Sequence, residues 1–292
     1  MRVRGFLLLP PGADAARLPL VAQVHGGPIN HFRPGYDAIS QLLANRGYAV
    51  FQTNFRGSTG HGREYMFASR GDYGNGRVQQ DIVEGVRYLH AQGIGDPRRV
   101  GIVGHSFGGY SALLGVTFAP ELFKVGVAGA PPADFGWSMR WLVDAGDQGA
   151  RPDRSLVVAL RALSVDPADP ATYARLHAQS PVANVGRVRS PVLLLAGGAD
   201  RVVAIREVIH YAALLRRLGK PVSLYVEPGG GHSPVKPLPR DAYVYLIEAM
   251  LHAHLGGARP DAPGAELRAY LKQNLRLAGP EFAAFGTSRP AR

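Results

Sequence analysis

The stretch that decides the fold is Val100–Tyr110, VGIVGHSFGGY. A short apolar run ends in Gly104-His105-Ser106-Phe107-Gly108, and a helical pattern begins at once. A GxSxG set between a strand and a helix is a nucleophile elbow, a sharp turn that lifts the serine above the sheet. Glycines on both flanks let strand and helix approach where a Cβ would clash. The helix N-terminus then faces any anion formed beside Ser106. The competing reading, a glycine-rich turn with Ser106 as a helix cap, leaves the glycine pair unexplained.

Outward from this turn, short apolar runs alternate with amphipathic segments. Val3–Leu9, Leu20–His25, Tyr48–Thr53, Val100–Gly104, Val125–Ala128, Val192–Ala196 and Val222–Glu227 are short, apolar and bounded by Gly or Pro, which predicts buried strands. Asp37–Asn45, Asp81–Gln92, Phe107–Phe118, Ile205–Leu218 and Arg240–Leu255 carry helical spacing. This alternation implies an α/β fold with a mostly parallel sheet flanked by helices. The sequence divides into a catalytic domain over 1–257 and a C-terminal extension over 258–292. In the extension Ala265–Ala278 reads as one short helix, followed by a mobile tail. Asp144–Pro170 is the least regular interior stretch and is expected to hold short helices above the sheet.

A serine hydroxyl is a poor nucleophile until a base takes its proton, and the base needs an acid to orient it. Behind a nucleophile elbow the chain order is serine, acid, histidine. Downstream of Ser106, His177, His210, His252 and His254 fall within helical stretches. His232 instead sits in Glu227–Pro234, EPGGGHSP, on a glycine loop just after the last strand, and is the expected base. Asp200 ends PVLLLAGGAD beyond another strand, where open α/β sheets place their ligand sites, and is the preferred acid. Asp134, after the Val125–Ala128 strand, is the alternative. Two backbone N–H groups are expected to receive the oxyanion, one from Phe107 and one from the turn His25-Gly26-Gly27-Pro28, through Gly27. Trp137, Met139 and Trp141 are candidates for the substrate pocket, with Trp137 and Trp141 foremost.

The composition, with 46% hydrophobic and 19% charged residues, excludes a disordered chain or a coiled coil. The absence of cysteine excludes disulfide scaffolds, thiolate zinc sites and cysteine nucleophiles. No apolar run reaches the length of a membrane span. Met1–Leu9 is too short in its apolar part for a signal peptide and is stopped by Pro10-Pro11, so the chain as given reads as cytoplasmic. The net charge of +11 comes mainly from arginine, since only Lys124, Lys220, Lys236 and Lys272 are lysines. The basic residues are scattered rather than gathered on one face, which argues against a nucleic-acid partner. No Walker A or GxGxxG pattern and no metal-ligand cluster stands out, so neither cofactor nor metal is expected.

Five segments in order, HGGP at 25–28, NFRGSTGHGREY at 54–65, DPRRVGIVGHSFGGY at 96–110, LLLAGGADRVV at 193–203 and EPGGGHS at 227–233, resemble the catalytic domain of the prolyl oligopeptidase family. The acylaminoacyl-peptidase-like and dipeptidyl-aminopeptidase-like enzymes are the nearest subgroup in pattern. The resemblance runs over about residues 3 to 255. It implies an α/β-hydrolase fold and a cofactor-free triad of Ser106, Asp200 and His232 that cleaves peptide or acyl-amino-acid bonds through an acyl-enzyme. It also implies Gly27 and Phe107 as oxyanion donors and gives Asn54–Gly57 a place in the site wall. The chain departs from the pattern in lacking the family's N-terminal β-propeller and first strand, which leaves a face for self-association into a homo-oligomer. A carboxylesterase with the same triad, and a non-catalytic fragment of a longer peptidase, are the alternatives.

Overall fold

A computed structural model describes residues 1–144, 158, 160–166 and 168–286. One eight-stranded sheet organises them, made of β1 (Arg4–Leu8), β2 (Leu20–Val24), β3 (Ala49–Asn54), β4 (Val100–His105), β5 (Val125–Gly129), β6 (Val192–Gly197), β7 (Val222–Glu227) and β8 (Leu275–Leu277). The spatial order is β1-β3-β2-β4-β5-β6-β7-β8. β2 through β7 are mutually parallel, and the two edge strands run antiparallel to their neighbours. The helices are α1 (Ala38–Asn45), α2 (Arg63–Phe67), α3 (Arg77–Ala91), α4 (Phe107–Phe118), α5 (Phe135–Asp144), α6 (Pro170–Ala178), α7 (Ile205–Arg217), α8 (Pro237–Leu255) and α9 (Ala265–Asn274).

The two-residue period of a strand sends alternate side chains to opposite faces, and each face has its own core. Leu20, Ala22, Val24, Ile102, Val192 and Leu194 pack with α3, α4 and α7. Val21, Val50, Val103, Val127, Leu193 and Leu195 pack with α1, α8 and α9. Strands covered on both sides must be apolar throughout, which is why these segments read as unbroken hydrophobic runs rather than alternating ones. Each fully buried Leu or Val contributes about 1.5–3 kcal/mol.

Three helix ends differ from the sequence reading by three residues or more. α3 begins at Arg77 rather than at Asp81. α8 begins at Pro237 rather than at Arg240, because proline is favoured in a first helical turn, where its missing N–H has no partner to lose. α9 stops at Asn274, and Leu275–Leu277 becomes a strand paired with β7 instead of the last turn of a helix. Beyond it Phe282 and Phe285 are buried among α8, α9 and the sheet. Most of the irregular stretch 144–170, and the last residues 287–292, lie outside the described residues. No helix among the described residues is long and apolar enough to cross a membrane.

Because Phe282 is fully enclosed, Phe282→Ala is expected to lower the unfolding free energy by about 3–5 kcal/mol in urea titration. A solvated tail residue would change it by less than about 0.5 kcal/mol.

Candidate active site

Parallel strands point their carboxyl ends to one rim, and the three candidate catalytic residues follow β4, β6 and β7 there. Ser106 lies between β4 and α4 with φ 59° and ψ −123°. A backbone of this kind in a residue with a Cβ stores on the order of 1–3 kcal/mol. The surrounding glycines make the turn possible: a Cβ on Gly104 would overlap the Gly108 carbonyl, and one on Gly108 would overlap that of Val24. Although Ser106 sits at the N-cap position of α4, its side chain makes no capping bond, so the hydroxyl is not committed to the helix.

Asp200 stands in the turn after β6, with its side chain 3% exposed. Its Oδ1 accepts the N–H groups of Val202 and Val203 at 2.7 and 3.0 Å. Its Oδ2 faces Nδ1 of His232 at 2.8 Å. Burial works to raise the Asp200 pKa, but the His232 hydrogen bond and the Val203 and Val202 amides together hold it below the usual carboxylate range. An ionised carboxylate only accepts, so Nδ1 of His232 carries the shared proton and a neutral His232 keeps its lone pair on Nε2.

The loops of acid and base are tied to each other. Gly198 N–H donates to the Glu227 carbonyl at 2.7 Å and Ala199 N–H to the Gly230 carbonyl at 2.8 Å. A side chain at Gly197 would overlap the carbonyls of Gly230 and Gly231. The sequence EPGGGH is therefore glycine-rich because two loops run in backbone contact. The base-bearing loop packs beside the strand that carries the serine: His105, the residue before Ser106, has its ring centroid 5.0 Å from that of His232.

The HGGP turn meets the elbow from the other side. A Cβ on Gly26 would come within 3.4 Å of the Ser106 Cβ. Gly27 has φ +126°, and a Cβ there would lie 2.5 Å from the Ile29 nitrogen, so the backbone path requires glycine. His25 anchors this turn. Its Nδ1 bonds the Gly26 carbonyl and its Nε2 the Ser58 hydroxyl, each at 2.8 Å. Its ring stacks on Phe55 at 4.4 Å. A carbonyl only accepts, so Nδ1 bears the proton and Ser58 donates to Nε2. Burial presses the His25 pKa down to about 4, which keeps the ring neutral. The neighbouring wall is fixed by Arg56, whose guanidinium grips the Asp81 carboxylate at 2.6 and 2.8 Å. Phe107, the other expected oxyanion donor, is the first residue of α4, where backbone N–H groups have no partner within the helix.

The remaining candidates have partners of their own. Asp134, the alternative acid, faces His177 at 2.5 Å and not His232. Trp137 and Trp141 stack on each other along α5 at 6.4 Å, and Arg206 of α7 covers Trp137 at 4.8 Å. Phe135, not singled out from sequence, packs against Phe107 at 5.5 Å and Tyr110 at 5.4 Å. Its neighbour Asp134 donates its N–H to buried Glu207 at 2.6 Å, and the Ser138 hydroxyl donates to the same carboxyl group at 2.5 Å. The segment after β5 is thereby fastened to α7.

Burial pushes the Glu207 pKa up from 4.5 to about 7, against the hydrogen bonds from Ser138 and from the backbone of Asp134. The folded protein thus holds a proton there that the unfolded chain releases, so this residue's contribution to stability falls as pH rises from about 4.5 to 7. Denaturant titrations across that window are expected to show Glu207→Gln gaining on the wild type as pH rises. A difference independent of pH would contradict the assignment.

Comparison with known proteins bears on the family and the fold. The family model described as "Prolyl oligopeptidase family" matches residues 34–256. Dipeptidyl aminopeptidase BIII of Pseudoxanthomonas mexicana is 32% identical over 259 residues, covering 86% of this chain and 36% of that protein. The acylamino-acid-releasing enzyme of Homo sapiens is 29% identical over 255 residues, covering 86% and 34%. The acylaminoacyl peptidase of Pyrococcus horikoshii superimposes with a TM-score of 0.74 at 22% identity, covering 91% of this chain and 41% of that one, a likeness of fold. The chain thus spans a little over a third of the length of these relatives. The family match begins at residue 34, after the HGGP turn, and runs to the end of α8, and the chain belongs to the prolyl oligopeptidase family.

Proposed function

We propose that this chain is the catalytic domain of a serine peptidase that cleaves amide bonds in peptides or acylated peptides through an acyl-enzyme. The observation that carries the reading is the Asp200–His232 bond of 2.8 Å; a strained Ser106 whose hydroxyl caps no helix, next in sequence to a histidine that packs on His232, supports it. His232 Nε2 takes the Ser106 proton as Oγ attacks the carbonyl carbon. Asp200 keeps the imidazole in the required tautomer and stabilises the imidazolium that forms. The tetrahedral oxyanion is received by the N–H groups of Phe107 and Gly27. His232 then returns the proton to the leaving amine, the C–N bond breaks, and water activated by the same histidine releases the acyl group. Trp137 and Trp141 are proposed to contribute to the substrate side of the site.

The substrate class follows from the relatives' names, one a dipeptidyl aminopeptidase and the other an acylamino-acid-releasing enzyme. The two names point to dipeptidyl and to acylamino-acid units as the groups released, and a panel of N-acylated and free dipeptidyl p-nitroanilides separates them. Hydrolysis of the anilides is the expected result. Cleavage confined to matched p-nitrophenyl esters would replace the peptidase reading with an esterase one. Asp200→Asn keeps the shape but turns the wrong tautomer of His232 toward Ser106, so kcat is expected to fall on the order of 10⁴-fold. A fall of less than about tenfold would remove Asp200 from the triad.

A further inference from the structure

His105 belongs to none of the roles above, yet it touches more of the catalytic rim than any motif suggests. It is the last residue of β4, paired with Gly129 of β5. Its Nδ1 lies 3.0 Å from the Tyr243 hydroxyl of α8, and its Nε2 lies 3.3 Å from the Ser233 hydroxyl, one residue past the base. Both partners are hydroxyls, which can donate or accept, so in either tautomer the ring bridges Tyr243 of α8 and Ser233 on the base-bearing loop. The arrangement is tight: a Cβ on Gly129 would lie 2.7 Å from Nδ1 of His105 and would overlap the Tyr243 hydroxyl. Burial, with the charge of His232 adding to it, presses the His105 pKa down to about 4. The ring therefore stays neutral while its neighbour gains and loses a proton.

We infer that His105 is a positioning residue that sets the reach from Ser106 to His232, by tying Ser233 of the base-bearing loop to the nucleophile strand and to Tyr243 of α8 through its two ring nitrogens. This rests on the triad reading given above. Ser106 is fixed by its strand and helix, whereas His232 rides on a loop that contains three glycines. Its bond to Asp200 fixes the ring's tautomer but ties it to another loop. His105 supplies a link from that loop to the strand that carries the nucleophile. Ångström-scale displacement of a reacting group costs on the order of 10² in rate.

The test compares His105→Phe with His105→Gln, whose amide can hydrogen-bond the Ser233 hydroxyl in place of Nε2. The imidazole Nδ1 proton of His232 is followed by NMR alongside kcat and KM. His105→Phe is expected to broaden or shift the His232 Nδ1 proton and to lower kcat on the order of 10²-fold with KM changed less than about threefold. His105→Gln is expected to keep the resonance and to restore most of kcat. Tyr243→Phe, which frees the ring to flip, is expected to move the same resonance in the same direction, and it decides the matter if His105→Phe does not fold. An unchanged His232 resonance in His105→Phe, or equal losses in the Phe and Gln variants, would overturn the inference. The spectrum is read without turnover, so failure of this inference is distinct from failure of the triad reading, which would appear as wild-type protein inert toward anilides and esters.

Discussion

The structure depends on one constraint: three loops that leave the sheet at different strands must meet at one rim with their hydrogen-bonding groups already aimed. The bond between His232 and Asp200 at 2.8 Å is where two of them meet. It is worth having only because its surroundings are paid in backbone contacts rather than flexible side chains. Two amides hold Oδ1 of Asp200, and the loops of acid and base are joined by backbone hydrogen bonds. An imidazole oriented by a carboxylate that is itself immobile loses little to reorganisation when charge develops.

A second theme is the use of neutral, buried histidines as braces. His25 and His105 flank the elbow on opposite sides, and burial presses both pKa values down to about 4. A protonated ring at either place would oppose the imidazolium that forms on His232. Each ring makes two hydrogen bonds in fixed directions, which a packed apolar side chain could not supply. The aromatic group of Phe55, Phe107, Tyr110 and Phe135 fills the space beneath the elbow. The identity of residue 107 therefore matters for packing, while its backbone N–H is the proposed oxyanion donor.

Much of this was legible in the sequence, because backbone demands leave marks on local composition. Strands buried on both faces must be apolar runs, and seven of the eight strands were visible as such. The elbow needs glycine on both sides of Ser106, and the contact between acid and base loops needs the glycines before His232. What escaped were features settled by partners far away in the chain. His105 meets Tyr243 138 residues later and Ser233 128 residues later. His25 meets Ser58 33 residues later. Both histidines stood inside recognised motifs, HGGP and GHSFG, but nothing local said what they would touch. Leu275–Leu277 was missed because three residues carry no periodicity, and its strand character comes from β7 alongside it.

The most direct measurement is intact and peptide mass spectrometry after treatment with a fluorophosphonate, on the wild type and on His232→Ala. The account predicts one adduct per chain, located on Ser106, with its formation slowed on the order of 10³-fold or more when His232 is removed. Labelling at another residue, or labelling of Ser106 at the same rate without His232, would contradict it.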